Sequence, residues 1–133
     1  MNDFKTALAA GLSKAHQINL NKEEIDRKLE QISTMLYEGT SETVELLFAE
    51  NLNHNEAILG NSVQNVYVVL HRDNSKGTKI ATIIRDEESG YPVKIESLPY
   101  KFLCTNTQDI EIAFSEIVQL NTVANAIFSL CNS

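Results

Sequence analysis

Val66-Tyr67-Val68-Val69-Leu70-His71-Arg72, then Asp73-Asn74-Ser75-Lys76-Gly77, then Thr78-Lys79-Ile80-Ala81-Thr82-Ile83-Ile84-Arg85 is the stretch that decides the fold. Its two flanks are β-branched and aromatic, the residue types that suit a pleated surface, and its middle is turn material. A hairpin is expected. Asp86-Glu87-Glu88-Ser89-Gly90 supplies a second turn, after which Tyr91, Val93 and Ile95 alternate with Pro92, Lys94 and Glu96 in a half-exposed strand. Pro92 places that strand's start or marks an edge, because proline cannot donate to a ladder. Pro99 punctuates the chain before Tyr100, Phe102 and Cys104, which alternate as a short last strand.

Upstream, Val44, Leu46 and Phe48 alternate with Thr43 and Glu45, so a strand is expected over 43–49, although Leu47 spoils strict alternation and leaves a short helix open. The asparagine-rich segment from Glu50 to Asn65, around Ala57-Ile58-Leu59, reads as an ordered loop. Further back lie two helical patterns. Phe4, Leu8, Leu12 and Ala15 share one face of a first helix, which Gly11 weakens enough for tertiary packing to be needed. Asn21 and Glu24 then have capping-box spacing ahead of Ile25, Leu29, Ile32 and Leu36, and Gly39 stands where a left-handed C-terminal residue is expected.

Downstream, Asn106 or Thr107 can cap a helix with Ile110, Ala113, Phe114, Ile117 and Val118 on one face, and Asn121-Thr122 can cap a terminal one carrying Val123, Ala126, Ile127 and Leu130. Helices, a strand meander and helices again imply the α+β class. The expectation is two N-terminal helices, a four- to five-stranded antiparallel meander and two C-terminal helices. Leu29, Ile32, Phe114 and Ile117 should face the sheet. At 133 residues, with 43% hydrophobic and 22% charged, the chain reads as a single domain, 1–133, with enough apolar material for a core.

No run of residues is apolar enough to span a membrane, and Met1-Asn2-Asp3-Phe4-Lys5 lacks the basic-then-apolar order of a signal peptide. A soluble, cytoplasmic protein with reduced thiols is expected. The formal charge of −7 disfavours wrapping a phosphate backbone. Its distribution says more than its sum. Between Lys28 and Arg72 there is no Lys or Arg, while Glu30, Glu38, Glu42, Glu45, Glu50 and Glu56 all fall there. Asp109, Glu111 and Glu116 repeat the pattern after Lys101.

The chemistry-bearing residues are dispersed. His16, His54 and His71 lie in different elements with no metal-ligand spacing, the five glycines form no phosphate loop, and neither metal nor cofactor is expected. Cys104, just before a helix N-terminus, is the one nucleophile candidate, but no His stands near it in sequence and a buried structural thiol is the better account. The reading that remains is a non-catalytic protein-binding module. Its best-fitting type is a bacterial immunity protein that neutralises a toxin. Glu38, Glu42, Glu45, Glu50 and Glu56 would form its partner-binding surface, for a basic protein such as a nuclease toxin domain. An acidic secretion chaperone and a small thiol-dependent enzyme using Cys104 are the alternatives.

Overall fold

The computed structural model describes residues 3–133; Met1 and Asn2, part of the opening stretch weighed above as a signal peptide, lie outside them. The chain runs α1 (Asp3–Gly39), β1 (Val44–Glu50), α2 (Asn55–Ile58), β2 (Ser62–Leu70), β3 (Asp73–Asp86), β4 (Gly90–Ser97), β5 (Tyr100–Cys104), α3 (Thr107–Ile117) and α4 (Asn121–Cys131). The strands form one antiparallel sheet in the order β1-β2-β3-β4-β5, so every ladder joins sequence neighbours. This is the α+β meander expected, with all five strands present.

The N-terminal helices differ from expectation, because they are one helix of 37 residues. No Pro interrupts residues 17–24, and extending a helix that is already nucleated costs little per residue. The supposed capping box is otherwise engaged. Asn21 accepts from Gln17 Nε2 at 3.1 Å and donates to the Ser89 carbonyl at 3.4 Å, while Glu24 accepts from the Tyr91 hydroxyl at 3.2 Å. At the other end Gly39 is still helical. The left-handed residues are Ser41 (φ 55°) and Glu42 (φ 64°), where side chains are normally disfavoured. Thr40 holds this corner, its hydroxyl donating to the Leu36 carbonyl at 2.9 Å and accepting from Val44 N–H at 2.9 Å, while Glu42 N–H reaches the Tyr37 carbonyl at 2.7 Å.

The sheet is pinned by close backbone approach. A Cβ on Gly77 would stand 2.5 Å from Val69 Cγ1 and 2.6 Å from the Val68 carbonyl oxygen, so only glycine fits where β3 crosses β2. The ladder shifts register here, and β3 begins at Asp73, absorbing the whole of the turn expected over 73–77, which falls instead at His71 and Arg72. Pro92 sits in an interior strand, correcting the edge expectation; the β3–β4 ladder shifts between Arg85 and Asp86, so Pro92 lies where no partner needs its missing N–H. The loop expected over 50–65 is shorter than read: it holds the single turn α2, capped by His54 Nδ1 accepting from Glu56 N–H, and β2 starts at Ser62.

Ile25, Leu29 and Ile32 of α1 pack with Ile110, Ala113, Phe114 and Ile117 of α3 and Val123 of α4 onto Val44, Leu46, Val66, Val68, Ile83, Val93, Ile95 and Cys104 of the sheet. Pairing places these strand residues on a common face, as in Leu46 opposite Val68 and Ile83 opposite Ile95. Leu29, Ile32, Phe114 and Ile117 are all buried. Asn106 caps α3, accepting from Asp109 N–H at 2.8 Å, whereas α4 starts after Leu120 without a side-chain cap, against the expectation for Asn121-Thr122. No helix among the described residues is long and apolar enough to cross a membrane.

Candidate functional site

The absence of bases between Lys28 and Arg72 acquires a shape where α1 hands over to β1. Glu30, Ser33, Thr34 and Tyr37 recur at helical spacing on α1 and line one depression together with Glu45 of β1 and His71 at the end of β2. The Tyr37 and His71 rings meet edge to face, with centroids 4.8 Å apart. His71 Nδ1 lies 3.0 Å from Glu45 Oε2, and the His71 backbone N–H donates to the Thr43 carbonyl at 2.9 Å. Glu38, in the last turn of α1, and Glu42, in the left-handed turn tied to Tyr37, are exposed at the same corner. Ser33 Oγ accepts from the Leu46 N–H at 3.0 Å, which occupies an outward donor of this edge strand and seats α1 against it.

Glu45 therefore stands at the aromatic pair and Glu38 and Glu42 on the adjoining turn, while Glu50 and Glu56 lie elsewhere. Five residues of extended strand separate Glu45 from Glu50, about 17 Å, and strand alternation puts Glu50 on the other face. Glu56 sits on α2, its carboxylate accepting from Asn61 Nδ2 at 2.8 Å. Among the described residues none of Glu30, Glu38, Glu42, Glu45, Glu50 or Glu56 comes within ion-pair distance of a Lys or Arg. Tyr37, His71 and Glu30 were missed as site residues. The polar run Glu30, Ser33, Thr34 and Tyr37 on one side of a helix was the available signal, but His71 joins it only through the β1–β2 pairing.

The face turned from α1 and α3 carries Lys79, Lys94 and Lys101 with Glu96, along two shallow concavities of about 410 and 570 Å³ that share His54 and Glu96. Lys101 Nζ lies 3.8 Å from Glu96 Oε2. His54 is occupied as the α2 cap.

Cys104 is buried beneath α3. Burial first, and then the nearby Asp109 carboxylate, push its thiol up to about 11, away from the thiolate that a nucleophile requires. Asp109 accepts from both the Thr105 N–H and its hydroxyl, at 3.0 and 3.1 Å, so this acid already occupies the helix N-terminus that would otherwise favour a thiolate. Cys131 is exposed. Among the described residues no group of three or more His, Cys, Asp or Glu could hold a metal ion. No protein-family model, curated protein or solved structure matches this chain.

Proposed function

We propose that this chain is a non-catalytic protein-binding module of the bacterial immunity type, which docks a basic partner, such as a nuclease toxin domain, on its acidic α1–β1 corner. The observation that carries this reading is the depression lined by Glu30, Glu45 and the Tyr37–His71 pair, with Glu38 and Glu42 exposed on the adjoining turn and, among the described residues, no Lys or Arg within ion-pair distance of any of these four acids. The physics favours association. Uncompensated carboxylates focus a negative potential that steers a basic surface and speeds encounter, while an aromatic pair beside them gives the contact an apolar anchor. The left-handed Ser41–Glu42 turn, tied through Thr40 and Tyr37, pre-orders the corner and lowers the cost of docking.

The test is to isolate the protein with its companion from source cells, identify the companion, and measure association rates for Glu42→Lys/Glu45→Lys and Glu50→Lys/Glu56→Lys. The corner reading expects the first pair to slow association about tenfold or more, with added salt slowing the unmodified protein, because exposed charges are screened within about 8–10 Å at physiological ionic strength. The second pair, on separate elements, should have the smaller effect. A companion whose binding survives Glu42→Lys/Glu45→Lys and ignores salt would remove the proposal.

A further inference from the structure

Where β4 stops, β3 runs on. The β3–β4 ladder ends at Thr82 opposite Glu96, and residues 73–81 of β3 pair only with β2. Ser97 covers part of the edge left open, its hydroxyl donating to the Ile80 carbonyl at 2.7 Å. The first turn of α4 also reaches this place, through Thr122 and Val123. Strand, turn and helix together enclose a notch of about 410 Å³, the smaller of the two concavities that share His54 and Glu96. That volume is in the range of small-molecule sites.

Thr82 is the residue that points to a ligand. It is only 8% exposed and lines the notch, yet among the described residues its hydroxyl has no hydrogen-bond partner. A polar group withdrawn from water without a partner is costly, and native folds leave few of them unmet. The first turn of α4 adds further donors. Its N-cap, Leu120, makes no side-chain hydrogen bond to it, so the leading N–H groups of this 11-residue helix have no cap at its positive end. Lys79 lies on the same lining and, among the described residues, is within ion-pair distance of no Asp or Glu. His54 uses Nδ1 as an acceptor, which leaves its ring proton on Nε2 as one more donor. The one carboxylate of the lining, Glu96, has the Lys101 ammonium 3.8 Å away.

We propose that the notch binds a phosphate group, as the free ion or at the end of a small monoester, with the Thr82 hydroxyl, the first turn of α4 and the Lys79 ammonium as its donors. The balance of donors over acceptors selects an anion. A metal cation would find only Glu96, whose charge Lys101 already offsets, and an apolar ligand would leave the Thr82 hydroxyl unmet. Among anions, phosphate suits donors that arrive from a strand and from a helix, because its oxygens accept in several directions, whereas a carboxylate accepts in one plane. The site is independent of the acidic corner, since β2 separates β3 from β1 and its Glu45.

The test is calorimetric titration of the full chain with inorganic phosphate, glucose 6-phosphate and acetate at constant ionic strength, with amide chemical shifts to locate the site. Both phosphate compounds should bind more tightly than acetate and move the Thr82, Thr122 and Val123 amides. Tighter binding of glucose 6-phosphate would make a monoester the ligand, and equal affinity the free ion. Thr82→Val keeps the branched shape and removes the hydroxyl, so it should weaken binding about tenfold while raising the Tm of the ligand-free protein. Lys79→Gln, at an exposed position, should also weaken binding about tenfold and stands as the test if Thr82→Val does not fold. Lys94→Gln, in the neighbouring concavity, should leave affinity unchanged. The proposal is overturned if neither phosphate compound binds at millimolar concentration, if acetate binds as tightly, or if binding is indifferent to both Thr82→Val and Lys79→Gln.

Discussion

Residues 3–20 and 21–39 belong to one uninterrupted helix, yet the second stretch buries Ile25, Leu29 and Ile32 while the first leaves Phe4, Leu8 and Leu12 in water. Both show apolar residues three or four apart, as one side of a helix does. The difference is that β1, β4 and α3 lie under the second stretch, whereas nothing in the described residues lies under the first. Helical periodicity thus reports which side of a helix is apolar, and the tertiary structure decides whether that side is already covered. Continuity with the packed half keeps the arm, residues 3–20, helical, because a helix extended from an existing turn avoids the cost of nucleation.

The largest test of the comparison is truncation on the two halves. Leu29→Ala on the packed stretch, or Phe114→Ala opposite it, should cost about 2–5 kcal/mol by urea unfolding, from lost burial and the cavity left behind. A near-neutral result would mean that α1 and α3 do not form the core described. Next comes a pair of glycines. Gly77→Ala drives a methyl into Val69 and the Val68 carbonyl and should cost about 1–3 kcal/mol, whereas Gly11→Ala meets nothing within 4 Å and should raise helix content, with a gain of about 0.5–1 kcal/mol in arm stability. If Gly11→Ala lowered helix content or stability, the arm would not be the free helix described. Smaller still is Leu12→Ala, which should stay within about 0.5 kcal/mol of the parent; a large loss would place the arm against its own body.

The mildest contrast is chemical and concerns the two thiols. Cys131 should react readily with a disulfide reagent in the folded protein, and Cys104 only as the protein unfolds. The folded state holds the Cys104 proton up to about pH 11, while an unfolded thiol loses it near 9.0, so unfolding free energy should be flat below about pH 9 and fall as pH rises toward 11. Tyr91, pushed up to about 12 by burial and then by the Glu24 carboxylate, extends the decline. Cys104→Ala should flatten its first part. An unchanged slope would mean that the thiol does not titrate differently in the two states.

The strand-rich middle was legible because its signals are local. β-Branched runs, alternating apolar residues and the turn at 86–90 placed the meander, although its other turn falls at His71 and Arg72 and not over 73–77, and the spacing of Ile110, Ala113, Phe114 and Ile117 placed α3 with its sheet-facing side. Capping was less legible, since Asn21 and Glu24 had suitable spacing but found partners in Ser89 and Tyr91, on a turn and strand distant in sequence. The candidate site was legible in part. The run without Lys or Arg takes in the residues of the proposed corner, but it also takes in Glu50, a strand's length from Glu45, and Glu56, on α2.

The sequence by itself determined the element types, the antiparallel order and which side of each long helix is apolar, because propensity and periodicity act between residues a few positions apart. Only the tertiary structure decided that two helical patterns join into one, that His71 meets Tyr37 and Glu45, and that the apolar side of residues 3–20 stays open. Each of those depends on which distant segments arrive at a surface, and that is set by the packing of the whole chain.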